Sequence, residues 1–145
     1  DADFDVPTTI PEAVRKFLAH ATPRLIIAGI AALMLVRISA SPLSITDALA
    51  VPVVAVGWSF QEWAIHKYLL HGFKGWMGFE VHRQHHDLPF YHISLDPPDL
   101  VIAWTAVAGA VFVTLLPEPL SLTVLCSYMV MGLVYEWIHY IVHTR

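Results

Sequence analysis

The feature that most constrains this chain is a set of four apolar stretches: Pro23 to Ala40, Ala48 to Phe60, Leu100 to Leu116 and Leu120 to Tyr135. A greasy soluble bundle is the competing fold, and the composition disfavours it. Of the 145 residues 57% are hydrophobic and only 14% charged, where ordinary soluble domains carry about 25% charged side chains. A surface held in water needs more charge than that. All four stretches are therefore read as helices crossing or entering a membrane. Each is shorter than the ~20 residues of a straight span, but the second and fourth continue as helix into histidine-bearing polar segments that project beyond the hydrocarbon.

The expected fold is all-α, a single integral-membrane domain over residues 1–145 with about four transmembrane helices and a histidine-rich metal site on its cytosolic face. Arg37 interrupts the first stretch and is expected to snorkel or to sit at an interface. Pro117-Glu118-Pro119 breaks the chain between the third and fourth stretches, which should make those two an antiparallel hairpin. If all four stretches cross, Arg15, Lys16, Arg24, Lys67, Lys74, Arg83 and Arg145 share one side and only Arg37 lies near the other. The positive-inside rule makes the shared side cytoplasmic. The same arrangement brings the segments after the second and fourth helices together, away from Asp47 and Glu118.

A net charge of -4 with scattered Lys and Arg gives no basic stripe, which argues against nucleic acid as a partner. The single cysteine, Cys126, lies in an apolar run and reads as a small buried residue. The chain opens on Asp1-Ala-Asp-Phe-Asp5, without Met or a basic flank, and closes abruptly at Thr144-Arg145, so it reads as excised or processed.

Seven of the nine histidines fall into three groups: His66 with His71; His82, His85 and His86; and His139 with His143. On a helix His139 and His143 lie about 40° apart and roughly 6 Å along the axis, so both imidazoles can reach one ion. His82, His85 and His86 occupy one arc if Glu80 to Asp87 is helical. His66 and His71 are about 140° apart on a regular helix, and they converge only if the helix ends or distorts before Gly72. Imidazole suits iron, copper, nickel and zinc, and with one cysteine a thiolate zinc site is disfavoured. Seven clustered imidazoles exceed the needs of one ion, so two ions are the economical count. His20 and His92 stand apart and read as interfacial or hydrogen-bonded residues.

Glu62 and Glu136 each lie on the helical face of a nearby histidine, in the related runs Glu62-Trp63-Ala64-Ile65-His66 and Glu136-Trp137-Ile138-His139. Each is expected to orient a ligand imidazole without itself touching the metal, the plainer alternative being a carboxylate on the helix surface. Glu136-x-x-His139 also matches the motif of carboxylate-bridged di-iron bundles. That match is weak, because Glu62 precedes its histidine by four residues and not three.

His66-Lys-Tyr-Leu-Leu-His71, His82-Arg-Gln-His85-His86 and His139-Tyr-Ile-Val-His143 resemble successive boxes of the fatty acid hydroxylase superfamily, which includes sterol desaturases and carotenoid hydroxylases. The resemblance covers roughly residues 58–145, including Leu95-Asp96-Pro97-Pro98 before a helical hairpin. It implies that His66, His71, His82, His85, His86, His139 and His143 bind two iron ions, with zinc an alternative occupant in isolated protein. It implies an oxidoreductase of the bacterial inner membrane or endoplasmic reticulum that hydroxylates or desaturates a fatty acyl chain or sterol. Dioxygen would be the oxidant, with electrons from NAD(P)H through a ferredoxin or b-type cytochrome and its reductase. The family pattern carries a final H-x-x-H-H box downstream of the third; this sequence stops before it and reads as C-terminally truncated, with its own activity an open question. Two other readings use the same histidines. A metal transporter would place ligands near mid-membrane on related repeats, and a bis-histidine haem protein would need only one histidine per helix.

Overall fold

The computed structural model describes residues 7–87 and 95–142, with the side chains of residues 77, 78, 81, 84 and 85 excepted. Among these residues every regular element is helical: α1 (Ile10–Ala19), α2 (Ala21–Ala40), α3 (Ile45–Ala64), a π-helical segment (Ile65–Leu70), α4 (Met77–Asp87), α5 (Pro98–Leu115) and α6 (Leu120–Val142). Four helical runs are long and apolar enough to cross a membrane: α2, α3 with its π extension to Leu70, α5 and α6. They coincide with the four apolar stretches, and the second and fourth extend toward histidines as expected.

Local sequence sets the boundaries. Thr9 caps α1 by accepting the Glu12 N–H, and the Glu12 carboxylate in turn accepts the Thr8 N–H at 3.0 Å. Ser44 and Asp47 form a reciprocal capping box at the start of α3. α5 starts at Pro98, where a missing N–H costs nothing, and ends before Pro117.

α6 is the hub, packing against α2, α3 and α5. It buries 39% of its span within the protein, whereas α5 buries none. Close approach of α2 is allowed by Gly29, where a Cβ would stand 2.6 Å from the Met129 methyl of α6. Near the other end of α6 a small core forms where α1 lays Ala13 and Phe17 on Tyr140, flanked by Leu133, Trp137 and Ile141.

Polar contacts lock the bundle at three heights along α6. Arg37 does not snorkel: it is 4% exposed and meets Asp47 through Nη2 at 2.6 Å and Nε at 3.1 Å. Its Nε also donates to Thr123 at 2.8 Å, and Nη1 donates to the Ser41 carbonyl at 2.9 Å. Asp47 accepts further from Thr123 and from the N–H and hydroxyl of Ser44. At mid-height the Tyr128 oxygen accepts from Gln61 and Trp104, both at 2.7 Å. Toward the far end, Glu136 accepts the Asp96 N–H at 3.3 Å, and the Asp96 carbonyl accepts the Thr22 hydroxyl at 2.6 Å. The ends bearing Arg37 and Asp47 are thus opposite the ends bearing His66 and His139, the alternation expected of four successive crossings.

A buried ion pair broken on one side leaves an uncompensated charge, whereas removing both partners together leaves none. Arg37→Met and Asp47→Leu should each lower the thermal unfolding midpoint in detergent by several degrees. The double variant should lie closer to wild type than either single one, a double-mutant cycle read by circular dichroism.

Candidate metal centre

The site begins with a change of helical pitch. At Ile65 the chain leaves α-helical pairing, and the His71 N–H donates to the His66 carbonyl at 3.0 Å, a five-residue step. That widened turn carries His71 back over His66, the distortion the five-residue spacing requires. Gly72 closes the segment where a side chain has no room, since a Cβ there would lie 2.7 Å from the Tyr68 carbonyl oxygen. Gly75 turns the chain with φ +88, and the Trp76 indole N–H donates to the Leu69 carbonyl at 3.0 Å, capping the π segment.

The turn delivers α4 against the π segment. His82 and His86, four apart on α4, face inward, while Arg83 faces out and binds Glu80 at 3.2 Å and Asp87 at 2.8 Å. Four ring nitrogens then converge. His66 Nε2 lies 3.1 Å from His71 Nε2, which lies 3.2 Å from His82 Nε2, which lies 3.0 Å from His86 Nε2. All four ligand atoms fall within 4.8 Å of one another.

Those separations can be tested against a bound ion. Metal–imidazole bonds of about 2.0–2.1 Å place neighbouring ligand atoms about 2.9 Å apart at right angles and about 3.4 Å apart in a tetrahedron. The observed 3.0–3.2 Å contacts lie between these limits. These three successive contacts suit neighbouring ligands of one divalent transition metal bound through Nε2. Glu62 Oε1 is 3.6 Å from His66 Nδ1, on the side of the ring away from the cluster. A carboxylate there favours the tautomer that leaves Nε2 unprotonated.

His139 on α6 is half-buried with its ring 5.5 Å from that of Tyr135, and it is not a member of the four-nitrogen group. His85 lies on α4 with its side chain outside the described residues, as do His143 and His92 entirely. His20 is exposed, its ring 6.4 Å from Tyr140. Glu136, expected beside His139, is 2% exposed and bonds Asp96. Sequence reasoning gave Asp96 no role; burial pushes its carboxyl above the usual range. Pro97 and Pro98 mark that turn, but nothing local announces a partner 40 residues away.

Beside the cluster an open cleft of about 540 Å³ runs along α3 and the π segment, lined by Trp58, Ser59, Glu62, Trp63, Lys67 and the first two histidines. Its lining is largely apolar, with the Lys67 ammonium 4.9 Å from the Trp63 ring centre. No protein-family model matches the chain, and no curated protein or solved structure matches it.

Gly72→Ala tests the geometry of the π segment. Overpacking of this kind costs about 1–3 kcal/mol, and unwinding the turn to relieve it separates His66 from His71. Cobalt affinity, read from the visible absorption of the bound ion, should fall roughly tenfold, while His20→Ala leaves it unchanged.

Proposed function

We propose that this chain is a membrane-bound, histidine-ligated metal oxygenase of the fatty acid hydroxylase type, acting on a lipid C–H bond. The observation that carries the reading is the convergence of four Nε2 atoms from two boxes within 4.8 Å, beside an apolar cleft and at the end of membrane-length helices. His66, His71, His82 and His86 would hold one iron; a second would draw on His85, His139 and His143. When bound, the iron pair supplies activation of dioxygen for oxidation of an unactivated carbon.

The residues around the site have separate tasks. Glu62 orients His66. Trp58 and Trp63 offer an apolar wall along which an acyl chain or sterol lies, and by excluding water they limit side reactions of the oxidant. Lys67, with its aromatic neighbours, suits the depth at which lipid head groups begin. The positive-inside distribution supports a cytosolic position for this end of the bundle, within reach of a ferredoxin or b-type cytochrome that delivers electrons.

Metal analysis of the purified protein, paired with lipidomics of cells expressing the gene, tests the reading. Iron should be present and oxidised lipid should accumulate; His82→Ala and His86→Ala should lose both, and His20→Ala neither. Metal flux in proteoliposomes without lipid oxidation would replace the oxygenase with a transporter, and a Soret band would replace it with a haem protein.

A further inference from the structure

Helix α1 carries more apolar surface than the bundle covers. At about 100° per residue, Ala13, Phe17, Ile10, Val14 and Leu18 follow one another around a single arc, and Arg15, Glu12 and Lys16 occupy the remainder. The bundle takes only one edge of that arc. Ala13 and Phe17 are 3% and 5% exposed, whereas Ile10, Val14 and Leu18 are 66%, 38% and 40% exposed.

The depth of α1 in the bundle follows from its contacts. The Phe17 ring meets Trp137 at 5.2 Å and Tyr140 at 5.4 Å, close to the histidine end of α6. A helix of ten residues is about 15 Å long, half the hydrocarbon thickness, so α1 cannot cross. It is followed at once by α2, whose exposed Leu25 and Ile27 continue the apolar surface along the chain. Arg15 borders the exposed arc on its outer side, Lys16 pairs with Glu12 at 3.3 Å, and Arg24 opens α2.

We propose that α1 is an in-plane phospholipid-binding helix on the histidine side of the membrane, with Ile10, Val14 and Leu18 in the acyl region and Arg15 at the phosphates. An apolar stripe with a cation at its margin is the pattern of an interfacial helix. A second protein copy is the poorer occupant, since a stable dimer buries about 1,200–2,000 Å² and three partly exposed side chains supply far less. Because the opposite edge of α1 grips Trp137 and Tyr140, its lipid contact fixes the turn of α6 that carries His139 to the bilayer surface.

Spin labels on single cysteines test the assignment, in the full chain carrying Cys126→Ala and reconstituted in phosphatidylcholine–phosphatidylglycerol vesicles. Labels at 10, 14 and 18 should collide several-fold more with oxygen than with a water-soluble nickel chelate, and labels at 12 and 19 should show the reverse. Chelate access at all five positions would overturn the proposal, as would dipolar broadening at 14 and 18, which would put a second copy on the stripe. Metal content enters neither readout, so the outcome is separate from that of the oxygenase reading.

Discussion

A polar side chain drawn into an apolar bundle is costly without a partner, and α6 supplies one at each of three heights. Thr123 completes the Arg37–Asp47 pair, Tyr128 accepts from Gln61 and Trp104, and Glu136 accepts from Asp96. Between helices in lipid the hydrophobic effect offers little, so close packing and hydrogen bonds set the register. A one-residue slip of α3 against α6 would break two of these contacts together, those through Asp47 and Gln61. Rotation of α3 about its axis is restrained for the same reason, and this decides which way the π segment faces when it leaves the span.

That inherited direction is what the histidines use. His66 follows Gln61 by five residues and Glu62 by four, so the contact with Tyr128 and the carboxylate beside His66 lie on the run leading into the site. The π turn then adds what a regular helix cannot, bringing a histidine five residues onward over the first. A π turn packs less favourably than an α turn and recurs at functional sites. Here the lack of a side chain at Gly72 and the indole cap on Leu69 make it tolerable.

Much of this was legible in the chain. The four membrane-length helices, the break at Pro117 and Pro119 and the need for a distortion between His66 and His71 follow from patterns with a short reach in sequence: hydropathy, proline and helical angle. What was not legible depends on partners far apart. Arg37 reads as a charge that must snorkel or sit at an interface because Thr123, 86 residues on, is invisible to any local pattern. Glu136 carries a contact that spacing beside His139 does not announce, because its donor, the Asp96 N–H, arrives from another element. Helical spacing states which residues can meet, and tertiary contacts decide which of them do.

The division of labour between α6 and the histidine segments follows from these contacts. All four converging nitrogens come from the π segment, its C-cap His71 and α4, and α4 touches the π segment through its histidine face while its opposite face is tied up by Arg83 with Glu80 and Asp87. α6 contributes none of the four. Its His139 lies against Tyr135, whose ring in turn meets Trp58 at 5.5 Å in the wall of the cleft. In the oxygenase reading the apolar wall and the α6 histidine are therefore set by one aromatic residue, Tyr135. Substrate seating and any second ion would share a mechanical origin, separate from the pitch change that builds the first site.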